Sequence, residues 1–193
     1  MGNSKLFTPV TFGPLTLRNR TIRSAAFESM CPGNAPSDML LDYHRSVAAG
    51  GIGMTTVAYA AVTRSGLSFD RQLWMRPEII PGLRRLTDAI HAEGAAAGIQ
   101  LGHCGNMSHK SICGCTPVGA SGGFNLYSPT FVRGLRADEL PEMARAYGRS
   151  VNLAREAGFD AVEIHAGHGY LISQFLSPST NHRKDEFGGS LQN

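Results

Sequence analysis

Apolar and polar positions along this chain switch repeatedly between two periods. Glu78 to Glu93 places Ile79, Leu83, Leu86 and Ile90 at helical spacing, and Gly94 closes the run. An earlier helix is predicted from Pro36 and Ser37-Asp38 to about Ala49, with Gly50-Gly51 as its stop, and a third from Glu139 to Ala157, closed by Gly158. Between these lie short runs of β-branched or small residues: Thr21–Phe27, Met54–Val62, Ala95–Leu101 and Ala161–His165. Strands alternating with helices predict an α/β fold in which crossover helices join parallel strands. Residues 103 to 137 form a long glycine-rich connection, and long connections inside compact domains are commonly functional. No internal repeat, linker or low-complexity tract divides the chain.

The fourth predicted strand ends in chemistry. Val162 and Ile164 have strand character, Gly167 and Gly169 break the run, and His165, His168 and Tyr170 follow at spacings of three and two. Polar side chains at the C-terminal mouth of a strand are what an α/β-barrel active site requires. Imidazole N–H groups can hold a developing oxyanion, and a phenol can deliver a proton. Three other readings of these residues are a core histidine with a loop histidine and a packing tyrosine, a metal-dependent barrel hydrolase ligated by His165 and His168, and a half-barrel with no activity that pairs through its sheet edges.

Composition narrows the function classes. Lys plus Arg number 18 against 15 Asp plus Glu, and this net charge of +3 is unclustered, so neither nucleic acid nor a membrane surface is an expected partner. No apolar run approaches the roughly 18 residues a membrane helix needs. The N-terminus has no secretory h-region, and Met1-Gly2 carries Leu6 where a lipidation motif wants Ser or Thr, so the expected compartment is the cytoplasm. Cys31, Cys104, Cys113 and Cys115 read as free thiols, because Cys113-Gly114-Cys115 is CxC rather than a CxxC metal knuckle. Gly51-Ile52-Gly53 lacks the third glycine of a dinucleotide fingerprint.

The residues after the trio show no simple period and are expected to form a packed, specific loop. They contain Gly169-Tyr170-Leu171, Gln174-Phe175-Leu176-Ser177-Pro178, Asn181-His182-Arg183 and Asp185-Glu186-Phe187-Gly188-Gly189-Ser190. With His165 and His168 in front, this string resembles the Old Yellow Enzyme family of FMN-dependent ene-reductases. The resemblance implies a (β/α)₈ TIM barrel truncated to about its first four βα units, with residues 1–193 as the N-terminal half of an FMN-binding barrel. A complete barrel usually takes about 250 residues, and the chain ends at Leu191-Gln192-Asn193, where a fourth crossover helix is expected.

The resemblance also implies FMN as cofactor, NAD(P)H as electron donor and a small unsaturated carbonyl compound as substrate, in a protein that can oligomerise. His165 and His168 would hold the carbonyl oxygen, Tyr170 would supply the proton, and His165 would also face the flavin. Ser24, Ala25 and Ala26 would reach the flavin N5–O4 edge. Phe27 stands where relatives often have Cys or Thr. Tyr59 or Ala58 would lie near the pyrimidine ring, and the Gln100 amide would bond to it. His103 is expected as a loop residue, because Asn106 replaces the arginine of the family pattern beside it.

Overall fold

The computed structural model describes residues 4–126, 128–190 and 192. Met1-Gly2, Leu191 and Asn193, which bear on the expected lack of an N-terminal signal and on the expected fourth helix, lie outside the described residues. The chain opens with an antiparallel hairpin that sequence patterning did not anticipate, β1 (Val10–Phe12) and β2 (Leu15–Leu17). The core then follows as β3 (Ile22–Arg23), α1 (Asp38–Ala49), β4 (Met54–Ala61), α2 (Ile80–Ala92) and β5 (Ala96–Gly102). The long connection holds α3 (Lys110–Cys113), β6 (Val118–Gly119), β7 (Gly123–Asn125) and β8 (Thr130–Gly134), after which come α4 (Leu140–Glu156), β9 (Ala161–Ile164) and α5 (Leu171–Leu176).

Strands β3, β4, β5 and β9 form one wholly parallel sheet in that order, with Ile22 beside Met54, Met54 beside Ala96 and Gly98 beside Ala161. Helices α1, α2 and α4 cross between successive strands, which is the pattern of the first four strands of a (β/α)₈ barrel. The core lies between strands and helices: Val57, Ala97, Ile99 and Leu101 pack against Leu40, Leu83, Leu86, Ile90 and Ala154. Small strand residues let these helices sit close, and alternate residues of β5 (Gly98, Gln100, Gly102) point to the other face. The two edge strands leave Ile22 and Ile164 exposed, at 46% and 44%.

Polar anchors hold the end of the sheet away from the site. The Arg18 guanidinium donates to the carbonyls of Ala48, Ile52 and Glu93, collecting the C-terminal ends of α1 and α2. The Asp160 carboxylate accepts from the Ala97 N–H at 2.8 Å and lies 2.7 Å from His91 Nε2, tying the start of β9 to β5 and α2.

Four expectations need correction. The first strand spans two residues, not Thr21–Phe27, because the chain beyond Arg23 leaves the ladder and the Ala58 N–H bonds to the Glu28 carboxylate instead. Helices α2 and α4 start later than predicted, each behind a 3-10 turn (Pro77–Ile79 and Ala137–Glu139), with prolines 81 and 141 in their first turns. The 103–137 connection contains a three-stranded sheet, β6-β8-β7, in strands too short and glycine-rich to register as patterns. Residues 171–176 are helical rather than loop; α5 buries only Leu171 and Gln174, one turn apart, which is too little for a period to emerge.

Candidate active site

The His165 N–H donates to the Leu101 carbonyl at 2.8 Å, continuing the β5–β9 ladder one residue past the strand and seating the histidine at the C-terminal mouth of the sheet. Its ring stands edge-on to His168 at 4.8 Å, Tyr170 at 5.0 Å and Tyr59 at 5.8 Å between centroids. His165 Nε2 and His168 Nδ1 are 3.0 Å apart. The Gly167 N–H points at His165 Nδ1 at 3.4 Å, which makes that nitrogen the acceptor and leaves the proton on Nε2, donated to His168. His168 itself has φ 58, left-handed backbone that a side chain rarely adopts, and Gly169 follows at φ 68. This is backbone strain beside the candidate chemistry.

Electrostatics favour a neutral His165 and a protonated Tyr170. Burial, then the neighbouring His168, lowers the His165 pKa against an opposing pull from Glu163. Burial raises the Tyr170 phenol above its ordinary value, opposed by a hydrogen bond with Ser68. Both groups are therefore in their uncharged forms at neutral pH.

Two buried residues hold this turn in place. Gln174 is 1% exposed; its amide donates to the carbonyls of Gly169 at 2.6 Å and Cys104 at 3.2 Å and to Asn106 Oδ1 at 2.9 Å, and its Oε1 accepts from the Asn106 N–H at 3.2 Å. Gly105, at φ 62, leaves room for it: a Cβ there would overlap the amide. His103 lies in the loop after β5, as expected, but its side chain is fully buried. Its Nδ1 accepts from the Gly105 N–H at 2.9 Å, its Nε2 lies 3.0 Å from Ser65 Oγ, and its carbonyl receives the Leu171 N–H. Burial drives the His103 pKa down to about 4.

The remaining predicted residues occupy the same end of the sheet in two groups. Gln100 lies one step deeper than His165 and donates to the Glu163 carboxylate at 2.5 Å, across the β5–β9 pair. Tyr59 is buried at the β4 bulge, its ring against the Gly102 backbone, where a Cβ would come within 2.6 Å, and its hydroxyl donates to the Gly66 carbonyl. Ser24, Ala25 and Ala26 follow directly on β3, and Phe27 stacks on Phe69 at 4.7 Å.

A buried ion cluster behind that segment was not foreseen. Glu28 lies 3.2 Å from Arg23 and 3.3 Å from His44, while Arg23 donates to the Thr56 carbonyl at 2.8 Å and His44 Nδ1 meets Thr55 Oγ1 at 2.8 Å. Beside His168 and Gly169 lies a cavity of about 520 Å³ walled by Met107, Phe124, Leu126 and Val132. Among the described residues no group of three or more His, Cys, Asp or Glu side chains is placed to hold a metal, so His165 and His168 have no ligand set around them. No helix among them is long and apolar enough to cross a membrane.

Comparison with known proteins identifies the family and the fold. Residues 5–193 match the NADH:flavin oxidoreductase / NADH oxidase family. The chain is 44% identical over 186 residues to the 4,4'-dithiodibutanoate disulfide reductase of Rhodococcus erythropolis, covering 96% of this chain and 46% of that protein. It is 37% identical over 194 residues to the NADPH dehydrogenase of Bacillus subtilis (strain 168), covering 98% and 56%. Among solved structures, the Old Yellow Enzyme homologue of Zymomonas mobilis superposes with TM-score 0.91 at 29% identity, covering 98% of this chain and 56% of that one. Morphinone reductase in complex with tetrahydroNAD gives 0.90 at 29% identity, covering 99% and 57%. The chain spans about half the length of these relatives.

Proposed function

Because this chain belongs to the NADH:flavin oxidoreductase / NADH oxidase family, we propose that its protein is an FMN-dependent oxidoreductase that uses NAD(P)H to reduce activated C=C bonds of α,β-unsaturated carbonyl compounds. The observation that carries the reading is the convergence of two imidazoles and a protonated phenol at one strand mouth, with His165 Nε2 and His168 Nδ1 3.0 Å apart and Tyr170 beside them.

The residues present fit the cofactor. The Gln100 amide donates to Glu163 and keeps its carbonyl oxygen to accept from a pyrimidine N–H. Tyr59 offers a ring and backbone but not its hydroxyl, which is engaged with Gly66. Ser24, Ala25 and Ala26 offer backbone at the end of β3, and the Arg23–Glu28–His44 cluster pins that segment. In barrels of this type the phosphate is gripped by loops after the seventh and eighth strands.

FMN, when bound, supplies hydride chemistry with NAD(P)H as the electron source. The protein supplies position and charge. The substrate carbonyl oxygen sits between His165 and His168, whose N–H groups stabilise the enolate-like charge as it grows. Tyr170 delivers its proton to the α carbon, and its raised pKa keeps that proton in place at neutral pH. The cavity beside His168 takes the rest of the substrate.

The test is to incubate the purified protein with FMN and follow NADH or NADPH consumption on addition of 2-cyclohexen-1-one, in wild type and Tyr170→Phe. Enone reduction should fall roughly 10²–10⁴-fold in the variant, while nicotinamide-dependent flavin bleaching stays nearly unchanged. Equal loss in both half-reactions would assign the tyrosine to packing and defeat its catalytic role. A second reading is favoured by the 44% identity to a protein named a disulfide reductase: the same site would pass electrons to a small disulfide. Faster turnover with a disulfide than with any enone would select it.

A further inference from the structure

We propose that Cys113 and Cys115 form a redox-active dithiol that reduces small carboxylate-bearing disulfides by thiol exchange, at a site separate from the histidine cluster. Helix α3 ends at Cys113, and Gly114, at φ 74, turns the chain back on itself. The two sulfur atoms consequently lie 3.6 Å apart. That is close to the roughly 3–3.5 Å of a near-attack arrangement, from which the sulfurs would close to a bond of about 2.05 Å.

The two thiols are unequal. Cys113 is 1% exposed and donates its S–H to the Cys115 carbonyl at 3.2 Å, while Cys115 is exposed. Cys115 is thus the attacking sulfur and Cys113 the resolving one. Cys31 and Cys104 are both buried, with thiols that burial pushes up to about 12, and they have no comparable partner. Burial and the hydrogen bond with Cys113 push the Cys115 thiol up to about 11, opposed by Arg64, so exchange is slow at neutral pH and faster in alkali.

Cys115 opens onto a cavity of about 570 Å³ on the side of α4. Its charged lining is largely self-neutralised: Arg133 pairs with Glu139, Arg136 with Asp138 and Arg149 with Glu142. Arg64 approaches Gly114 from the neighbouring loop and makes no ion pair among the described residues. It is a cation beside the two thiols rather than in the cavity wall, close enough to act on the Cys115 thiol, and a carboxylate is what a free guanidinium selects.

The chemistry balances in two exchanges. Cys115 as thiolate attacks one sulfur of the disulfide; that S–S bond breaks, a mixed disulfide forms on Cys115, and the departing thiolate takes up a proton equal to the one Cys115 lost. Cys113 then attacks Cys115 Sγ, expels the second thiolate and passes its proton to it. The dithiol loses two electrons and two hydrogens, and the disulfide becomes two thiols.

The experiment treats the reduced, desalted full chain with 3,3′-dithiodipropionate at pH 8.5, quenches with acid and measures mass and released thiol. The expected product has lost two hydrogens, has released two thiols per chain and carries a Cys113–Cys115 link within one tryptic peptide. Cys113→Ser should stop at a mixed disulfide on Cys115 with one thiol released. A wild-type chain that stays unreacted, or that accumulates the mixed disulfide without resolving it, overturns the proposal. Cystamine, a dication, should react more slowly at low ionic strength; a faster reaction with cystamine overturns the assignment of carboxylate-bearing substrates.

Discussion

Removing the Gln174 amide tests whether the candidate active site is held by one buried side chain. In Gln174→Met the volume is nearly kept while every hydrogen bond of the side chain is lost. The Gly169 and Cys104 carbonyls and the Asn106 N–H, now bonded to the amide, are left in a site that is 1% exposed. Each such group costs about 1–3 kcal/mol when left unpaired. The low end for three groups gives about 3 kcal/mol, a large fraction of an ordinary domain's stability. With a urea slope of about 2 kcal/mol/M, the unfolding midpoint should fall by about 1.5 M. The lone tryptophan, Trp74, reports the transition by fluorescence. Gln174→Glu keeps the shape but turns the donor into an oxygen facing three other oxygens, so it should be at least as damaging above the carboxylate range. A midpoint shift below about 0.3 M for the Met variant, under 1 kcal/mol on that slope, would refute the assignment and make the network incidental.

Other consequences can be measured separately. Burial of His103 lowers its pKa from 6.5 to about 4, so its contribution to stability is fully present above about pH 6.5 and is lost as pH falls from there towards 4. The difference is worth about 3 kcal/mol, and His103→Gln should flatten that part of a stability-versus-pH curve measured by urea unfolding. Gly105→Ala forces left-handed backbone at φ 62 and drives a methyl into the Gln174 amide, so its melting temperature should fall by about 5 °C or more; an unchanged value would mean the loop moves freely. Gly102→Ala would bring a Cβ within 2.6 Å of the Tyr59 ring and should displace Tyr59 and His165 together, visible as a changed near-ultraviolet aromatic spectrum; an unaltered spectrum would refute that packing.

The sheet was legible in the sequence because its physics is periodic. Ile79, Leu83, Leu86 and Ile90 announce a helix face, and three of the four parallel strands lie within a residue or so of their predicted limits. His165, His168 and Tyr170 were legible for another reason: polar residues placed straight after a strand have few structural duties to perform. What escaped depends on contacts distant in sequence. Nothing local marks Gln174 as the link between Gly169 and Cys104, since Cys104 and Asn106 reach it from the loop after β5. His103 resembled an ordinary loop histidine because its burial is created by Gly66 and Ser65, in the loop after β4. The truncation of β3 depends on Glu28 folding back to the Ala58 N–H, a contact that no strand propensity encodes.

These separate layers meet in the His165–His168 pair. His165 donates to His168, so the pair satisfies itself and presents one N–H, whereas the proposed hold on a carbonyl oxygen needs two. Under the proposed mechanism, substrate binding would break that bond and bring a second N–H to the oxygen, by moving the His168 proton from Nε2 to Nδ1 or by turning the ring. The exposure of His168 lets water carry out the exchange, whereas His165, buried and fixed by the ladder bond to Leu101, keeps its tautomer. One imidazole is therefore a fixed donor and the other an adjustable one. The strained φ of His168 and the Gln174 grip on Gly169 hold the adjustable ring within 3.0 Å of its partner. Relaxing that grip would cost alignment before it cost either nitrogen. Gln174 variants that still fold should therefore lose enone reduction while His165 remains buried and neutral.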